Sequence, residues 1–272
     1  MTSPGATAPR LAWRFATVVD SRWETPTTRT LVLDLPEWPG HRPGQHVDVR
    51  LTAEDGYQAE RSYSIASAPE EARLALTVER LADGEVSPYL ADVLRAGDPL
   101  ELRGPIGGSF VWDVAIGGPL LLVAGGSGIV PLMAMLRHRA SAGAAAVAAA
   151  APRDGRAALL YSAREWGDVI YRDELAGLAA SDPSLRVAYS LTRRVPTEWA
   201  GYRRRIDRAM LEEVGWRASE RPHVFVCGPT AMVETAATAL VDLGHDPLRV
   251  KTERFGPSGA SGAASPGPPP IE

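Results

Sequence analysis

Arg61-Ser62-Tyr63-Ser64 sets a guanidinium fork, an aromatic ring and a small hydroxyl along one short β-type run. A guanidinium matches the geometry of a phosphate, a tyrosine face suits a ring system, and a serine hydroxyl can bond the edge of a heterocycle. Further along, Gly125-Gly126-Ser127-Gly128-Ile129-Val130-Pro131 follows an apolar run and opens a helical one. Its glycines let backbone N–H groups approach a diphosphate, and the helix terminus adds partial positive charge. The run departs from G-x-G-x-x-G because Pro131 stands where the last glycine would be, which a first helical turn tolerates. Cys227-Gly228-Pro229 ends another apolar run. Its thiol is expected at the carboxyl edge of a parallel sheet, where ligands of such folds collect; the alternative is a buried cysteine of structural use only.

The elements that must hold these residues follow two rhythms. From Trp13 to Arg103, β-type runs (Phe15 to Val19, Thr30 to Leu35, His46 to Leu51, Arg61 to Ala66, Leu74 to Arg80, Pro99 to Arg103) alternate with breakers such as Pro39-Gly40, Asp55-Gly56 and Asp83-Gly84. That pattern predicts a small antiparallel barrel. One helix is expected at Ser87 to Leu94, with Ser87 as cap and Pro88 in the first turn, leaving N–H groups to face an anion. From Pro119 onward, apolar strands at Leu120, Ala158, Arg186 and His223 are separated by helical lengths at Ile129 to Arg139, Ile170 to Ala180, Ile206 to Val214 and Thr230 to Leu243. Such βα units imply a parallel sheet with helices on both faces. The reading is two domains, an antiparallel β-barrel over 10–113 and an α/β domain over 114–255. The alanine-rich Ser141 to Pro152 reads as a helical extension plus a mobile loop, and 256–272 as a disordered tail of Gly, Pro, Ser and Ala.

These motifs in this order resemble the ferredoxin-NADP reductase family over nearly the whole chain, from about Trp13 to Phe255. The matching segments also include Gly44-Gln45-His46, Gly84 to Leu90, Gly104 to Phe110 and Glu253-Arg254-Phe255. The resemblance implies a flavin-binding barrel before a nucleotide-binding domain, with hydride passing from NAD(P)H to FAD where they meet. It assigns Arg61 to the flavin pyrophosphate, Tyr63 to stacking along the ring or ribityl chain, Ser64 to the flavin N5 edge, and Gly84 and Ser87 to the rest of the pyrophosphate site. It gives Gly126, Ser127, Gly128 and Pro131 to the pyrophosphate of the nicotinamide nucleotide. Cys227, with Gly228 and Pro229, abuts the nicotinamide in that family without acting as a nucleophile. Glu253 and Phe255 match its terminal Glu-x-aromatic pattern, in which the aromatic shields the flavin face as a gate.

For the coenzyme, Ser162, Arg164 and Arg193 at the ends of two predicted strands bring hydroxyl and guanidinium groups to the expected adenosine site and favour NADPH over NADH. Glu165 and Asp168 weigh the other way, since an acid usually meets a ribose diol, and Glu79 stands where plant-type NADPH-using members have a lysine. Composition narrows the remainder. A chain of 272 residues, 45% hydrophobic and 23% charged, suffices for two globular domains, and a net charge of -4 argues against a general nucleic-acid binder. Lys251 is its only lysine, and its single cysteine excludes a disulfide framework or a cysteine-ligated iron-sulfur cluster within the chain. Any cluster must sit on a partner, so the expected acceptor is a separate ferredoxin, oxygenase component or haem protein. A reductase of free flavin or ferric chelates and a redox-sensing module without turnover are the alternatives. The five histidines lack metal-ligand spacing, so no metal site is expected. No apolar stretch approaches the roughly 18 residues of a membrane span. Met1 to Arg10 reads as a polar leader and not a signal peptide, which makes the cytoplasm the expected location. Arg203-Arg204-Arg205 is either a solvated patch or part of a docking face for an acidic carrier.

Overall fold

The computed structural model describes residues 11–150 and 155–255, so the predicted leader, the tail and the end of the alanine-rich stretch lie outside the described residues. β1 (Trp13–Thr25), β2 (Thr28–Asp34), β3 (His46–Thr52), β4 (Gln58–Ser64), β5 (Leu74–Glu79) and β6 (Pro99–Ile106) form an antiparallel sheet in the order β4-β3-β6-β1-β2-β5. Its two ends meet where Ile65 bridges Leu76 and the Ala66 N–H donates to the Ala75 carbonyl at 2.8 Å. Closure curls the sheet into a barrel and covers both edges at that point. Leu31 and Leu33, Val47 and Val49, and Leu100 and Leu102 fill it. Each pair is spaced by two, as one face of a strand requires.

The second sheet has the order β11-β10-β7-β8-β9, all parallel, from β7 (Leu120–Gly125), β8 (Ala157–Glu165), β9 (Leu185–Arg194), β10 (His223–Pro229) and β11 (Val250–Phe255). α1 (Ile129–Ala150), α2 (Arg172–Ser181), α3 (Arg208–Val214) and α4 (Thr230–Asp242) connect them. β7 is an unbroken apolar run because both of its faces are covered. Leu120, Leu122 and Ala124 pack into the core beside α1, and Leu121 and Val123 pack under α3 and α4. From β7 the chain builds outward to β9 and then returns to the other side of β7 as β10. The order therefore reverses between β7 and β10, and ligands of open parallel sheets bind outside the carboxyl ends of strands at such a point.

Where expectation and structure differ, tertiary contacts prevail. α2 starts at Arg172 and not Ile170, because the Ile170 N–H donates to the buried Tyr161 hydroxyl at 3.2 Å and Tyr171 has left-handed backbone (φ 58). α3 starts at Arg208, behind Asp207, whose side chain accepts from the Met210 N–H. Ser87 caps no helix. The helical segment runs over 87–93, an opening turn at Ser87 and Pro88 that continues into the π-turn Tyr89–Val93, so Ser87 stands inside its first turn and its hydroxyl accepts from the Leu81 N–H at 3.1 Å. β11 had no counterpart in the sequence reading.

Barrel and sheet share a seam. Phe110 and Trp112 belong to the same core as β7 and α1. Gly44 lies under Phe110 at φ +97, and a Cβ there would stand 1.9 Å from the Phe110 carbonyl oxygen and 2.9 Å from Met135. Gly40 has a similar backbone (φ +81) with nothing within 4 Å. Gly44→Ala is therefore expected to destabilise by roughly 3 kcal/mol, overpacking added to backbone strain. Gly40→Ala should cost about 1 kcal/mol, from strain alone. Urea unfolding midpoints of the two variants check the difference.

Candidate functional site

A cleft of about 1410 Å³ runs between the barrel and the carboxyl ends of β7, β8 and β9, at the reversal of strand order. The barrel contributes Arg61, Tyr63 and Ser64 from β4 together with Gly84 and Ser87. The parallel sheet contributes Gly126 and Ser127, Ser162 and Arg164, Arg193, Pro229 and Phe255. Residues far apart in the chain thus share one cavity, larger than the roughly 300–1,000 Å³ of a single-ligand pocket.

On the barrel wall, β4 alternation places Arg61 and Tyr63 on one face. The Arg61 fork donates to Glu85 Oε2 at 2.8 Å and to the Glu60 carbonyl at 2.7 Å. Glu85 also accepts from the Tyr57 hydroxyl at 3.0 Å. Both members of the Arg61–Glu85 pair are about half exposed, so the pair is weak and the fork is available to an anion. Burial pushes the Tyr63 phenol up to about 12, which keeps it neutral. Ser64 is 8% exposed, and its hydroxyl has no hydrogen-bond partner among the described residues. The Leu81 to Ser87 loop is tight: Gly84 N–H donates to the Leu81 carbonyl at 3.0 Å, and a Cβ on Gly84 would stand 2.8 Å from Ser87 Oγ.

On the opposite wall β7 ends in the turn Gly126–Gly128, which leads into α1. Gly126 has φ +54 with open space where a Cβ would be, so backbone approach there is unobstructed. A Cβ on Gly128 would stand 2.1 Å from the Cys227 carbonyl oxygen; this glycine lets β7 and β10 close together and does not itself line the cleft. Pro131 is within the first turn of α1 and also lies off the cleft. Tyr161, whose role the sequence reading missed, donates to the Gly126 carbonyl at 3.1 Å from a fully buried position and steadies the turn.

The arginines divide by partner. Arg194 pairs with Glu165 at 3.1 Å, while Arg164 and Arg193 line the cleft with no ion pair among the described residues. In the arginine run, Arg203 donates to the Thr197 and Trp199 carbonyls, Arg204 pairs with Asp207, and Arg205 joins Arg164 and Arg193 at the cleft. Of the two acids beside Arg164, Asp168 also lines the cleft.

Cys227, Gly228 and Glu253 do not line the cleft. Cys227 is fully buried opposite Glu253 in the β10–β11 register. Burial first, and the Glu253 charge second, push the thiol well above its ordinary range, so it is no nucleophile. Burial pushes the Glu253 carboxyl up to about 7. Phe255 at the end of β11 both lines the cleft and packs on the core beneath it. The donor set suits a ring system with a diphosphate on each wall: a guanidinium fork near a tight loop on one, a glycine turn at a helix start on the other, with Tyr63 and Phe255 as aromatic surfaces.

Comparisons with known proteins agree with both walls. Residues 16–112 match the oxidoreductase FAD-binding domain, and residues 122–238 match the oxidoreductase NAD-binding domain. Ferredoxin–NADP reductase B of Sorangium cellulosum is 37% identical over 218 residues, covering 78% of this chain and 84% of that protein. The glycine betaine monooxygenase reductase subunit of Pseudomonas aeruginosa is 31% identical over 247 residues, 90% of this chain; the chain spans 64% of that relative's length. Among solved structures, a cytochrome P450 reductase from Amycolatopsis superposes with a TM-score of 0.73 at 29% identity, covering 92% of this chain and 72% of the other. Among the described residues there is no cluster suited to a metal and no helix long and apolar enough to cross a membrane.

The raised Glu253 carboxyl has a signed consequence. Between its ordinary value near 4.5 and about 7 the folded chain holds a proton that the unfolded chain releases, so its contribution to stability falls as pH rises through that window and is level above it. Glu253→Gln removes this slope. The difference in melting temperature, variant minus wild type, is expected to grow from pH 4.5 to pH 7 and then stay level; a constant difference across the range contradicts the assignment.

Proposed function

The chain belongs to the ferredoxin–NADP reductase family, and on that premise we propose that it takes hydride from NADPH and passes electrons to a separate protein acceptor, a ferredoxin, an oxygenase component or a haem protein. The observation that carries this reading is the single cleft at the strand-order reversal, with one diphosphate-compatible wall from each domain. The division at 113/114 and a cytoplasmic location belong to the same proposal. Bound FAD supplies the conversion between two-electron hydride chemistry and one-electron transfer.

The chain's own residues bind, orient and exclude water. In this reading Arg61 exchanges its weak pairing with Glu85 for the flavin pyrophosphate, Gly84 and Ser87 shape the loop beneath it, Tyr63 lies along the ring system, and Ser64 offers a hydroxyl to its edge. Gly126 and Ser127 receive the pyrophosphate of the nicotinamide nucleotide; Gly128 and Pro131 set the turn and helix start behind them. Cys227, Gly228, Pro229 and Glu253 form the floor at the nicotinamide end, and Phe255 covers it as a gate.

Arg61→Ala is expected to weaken FAD retention by about one to two decades, since a charge-assisted phosphate contact is worth about 1.5–3 kcal/mol. Flavin per chain after dialysis measures this, alongside NADPH oxidation with an artificial dye. Retention equal to wild type sinks the placement of the pyrophosphate, and a flavin-loaded wild type that oxidises neither NADPH nor NADH sinks the function.

Arg164, Arg193 and Ser162 are assigned to the adenosine 2′-phosphate, with Arg205 as a third guanidinium at the same end of the cleft. Unpaired guanidinium groups there favour a phosphate over a ribose diol. Arg164→Ala and Arg193→Ala should each lower kcat/KM for NADPH by roughly tenfold or more, and change the value for NADH by about twofold or less. A wild-type preference for NADH, or equal losses with both coenzymes, reverses the assignment and leaves the reductase reading standing.

A further inference from the structure

Tyr171 crosses the seam between the two domains. Its backbone is in the left-handed region (φ 58, ψ 26), unusual for a bulky residue, and its side chain is 2% exposed. The phenol donates to Thr77 Oγ1 on β5 of the barrel. Thr77 is 5% exposed, lines the cleft, and is the direct cross-strand partner of Thr30, with their hydroxyl oxygens 2.8 Å apart. Thr30 donates in turn to Glu24 Oε1 at 2.7 Å, beside the Arg22 Nε at 2.8 Å.

The direction of this chain is determined. A carboxylate beside a guanidinium has no hydrogen to give, so the single hydrogen of Thr30 goes to Glu24. Thr77 must then donate to Thr30, and Tyr171 to Thr77. Burial pushes the Tyr171 phenol above its ordinary range, which keeps its hydrogen in place. The same segment forms the cleft: Asp168 and Ile170 line it, and the Ile170 N–H is tied to Tyr161, which also holds the Gly126 carbonyl. One phenol therefore couples the position of the glycine turn's support to a strand of the opposite wall.

We propose that Tyr171 is a positioning residue for hydride transfer: its bond to Thr77 clamps segment 168–171 of the nucleotide domain to β5 and sets the distance between the two walls. The inference rests on the hydride-transfer reading above. Misplacing reactants by about 1 Å can cost up to about a hundredfold in rate, so loosening the clamp is read in the chemical step before it is read in binding.

The test uses the full FAD-loaded chain with Tyr171→Phe, Thr77→Val, Thr77→Ser and the Tyr171→Phe/Thr77→Val double variant. Stopped-flow flavin reduction at saturating NADPH or NADH gives the limiting rate, and steady-state kinetics give KM. Amide hydrogen exchange reports on residues 74–79 and 168–175. Tyr171→Phe and Thr77→Val are each expected to lower the limiting rate about tenfold with KM within about twofold. Flavin content should be unchanged and exchange faster in both segments. The double variant should be no slower than either single one, because both delete the same bond. Thr77→Ser, which restores the hydroxyl, should recover most of the rate lost in Thr77→Val. Overturning results are a limiting rate at the wild-type value, or a lowered melting temperature with the limiting rate intact. If the wild type shows no flavin reduction by either coenzyme, the functional reading fails, and exchange alone decides the clamp: unchanged exchange in Tyr171→Phe ends it.

Discussion

Every distance across the cleft depends on how the barrel is fastened to the parallel sheet, and Arg137 is one of the polar fastenings. Its guanidinium donates to the Ala66 carbonyl of the barrel at 2.7 Å, binds both carboxylate oxygens of Glu174 at 2.7 Å, and lies 4.9 Å from the centre of the Tyr171 ring. Burial opposes a charge there, but the bonds to Glu174 outweigh it and raise the guanidinium above its ordinary value. Glu174 is about a third exposed, so the pair itself adds little in water, and the bond that fastens the two sheets is the one from the sheltered guanidinium to the Ala66 carbonyl. Beside it, His138 Nδ1 meets Glu70 Oε1 at 2.7 Å while Nε2 accepts from the Val114 N–H at 3.3 Å. A neutral ring with its hydrogen on Nδ1 satisfies both contacts. The seam is therefore polar at its rim and apolar beneath, where Phe110 meets Phe225 edge to face at 5.2 Å.

Charge is organised around the same cleft. The chain has 33 acidic and 29 basic residues, almost all of the latter arginine, and many of these arginines have a carboxylate within reach: Arg80 with Asp92, Arg103 with Asp48, Arg139 with Asp182, Arg254 with Glu234. The exposed pairs among them add at most about 1 kcal/mol each. Arg164, Arg193 and Arg205 at the cleft have no such partner among the described residues. Asp168, Glu79 and Asp83 line the same cleft but form no ion pair with these three guanidinium groups, which leaves their donors open to an anion from solution.

Much of the fold was legible because its strands answer to burial on known faces. Leu31 and Leu33 or Val47 and Val49 repeat at two, as a closed barrel demands, and the continuous Leu120-Leu121-Leu122-Val123-Ala124 announces a strand covered on both sides. β11 was illegible. Val-Lys-Thr-Glu-Arg-Phe carries neither alternation nor an apolar run, and it becomes a strand because β10 offers it an edge. The helix starts moved for a similar reason: Ile170 and Tyr171 are helix-compatible residues held out of α2 by hydrogen bonds to Tyr161 and Thr77.

Sequence by itself determined which residue types were on offer for the site. Arg61, Tyr63, Ser64, the Gly125 turn, Arg164 and Arg193 were candidates from residue type, order and neighbouring turn signals, since those properties are local, and Phe255 was a candidate only through the family resemblance. Tertiary structure alone decided which of them share a cavity and which stand behind it. Cys227 and Glu253 are adjacent on neighbouring strands, the thiol lies beneath the surface while the carboxyl is only partly covered, and the thiol is kept protonated by its burial, which no short motif encodes. Ser87 closes a loop to Leu81 where its own spacing to Pro88 suggested a cap. Arg205, read only as part of a charge run, was separated from Arg203 and Arg204 by where each side chain found an acceptor. Tyr171 crosses to Thr77, 94 positions earlier. Such partnerships depend on how two independently patterned domains pack, and a linear pattern specifies the faces that meet without specifying the atoms that touch.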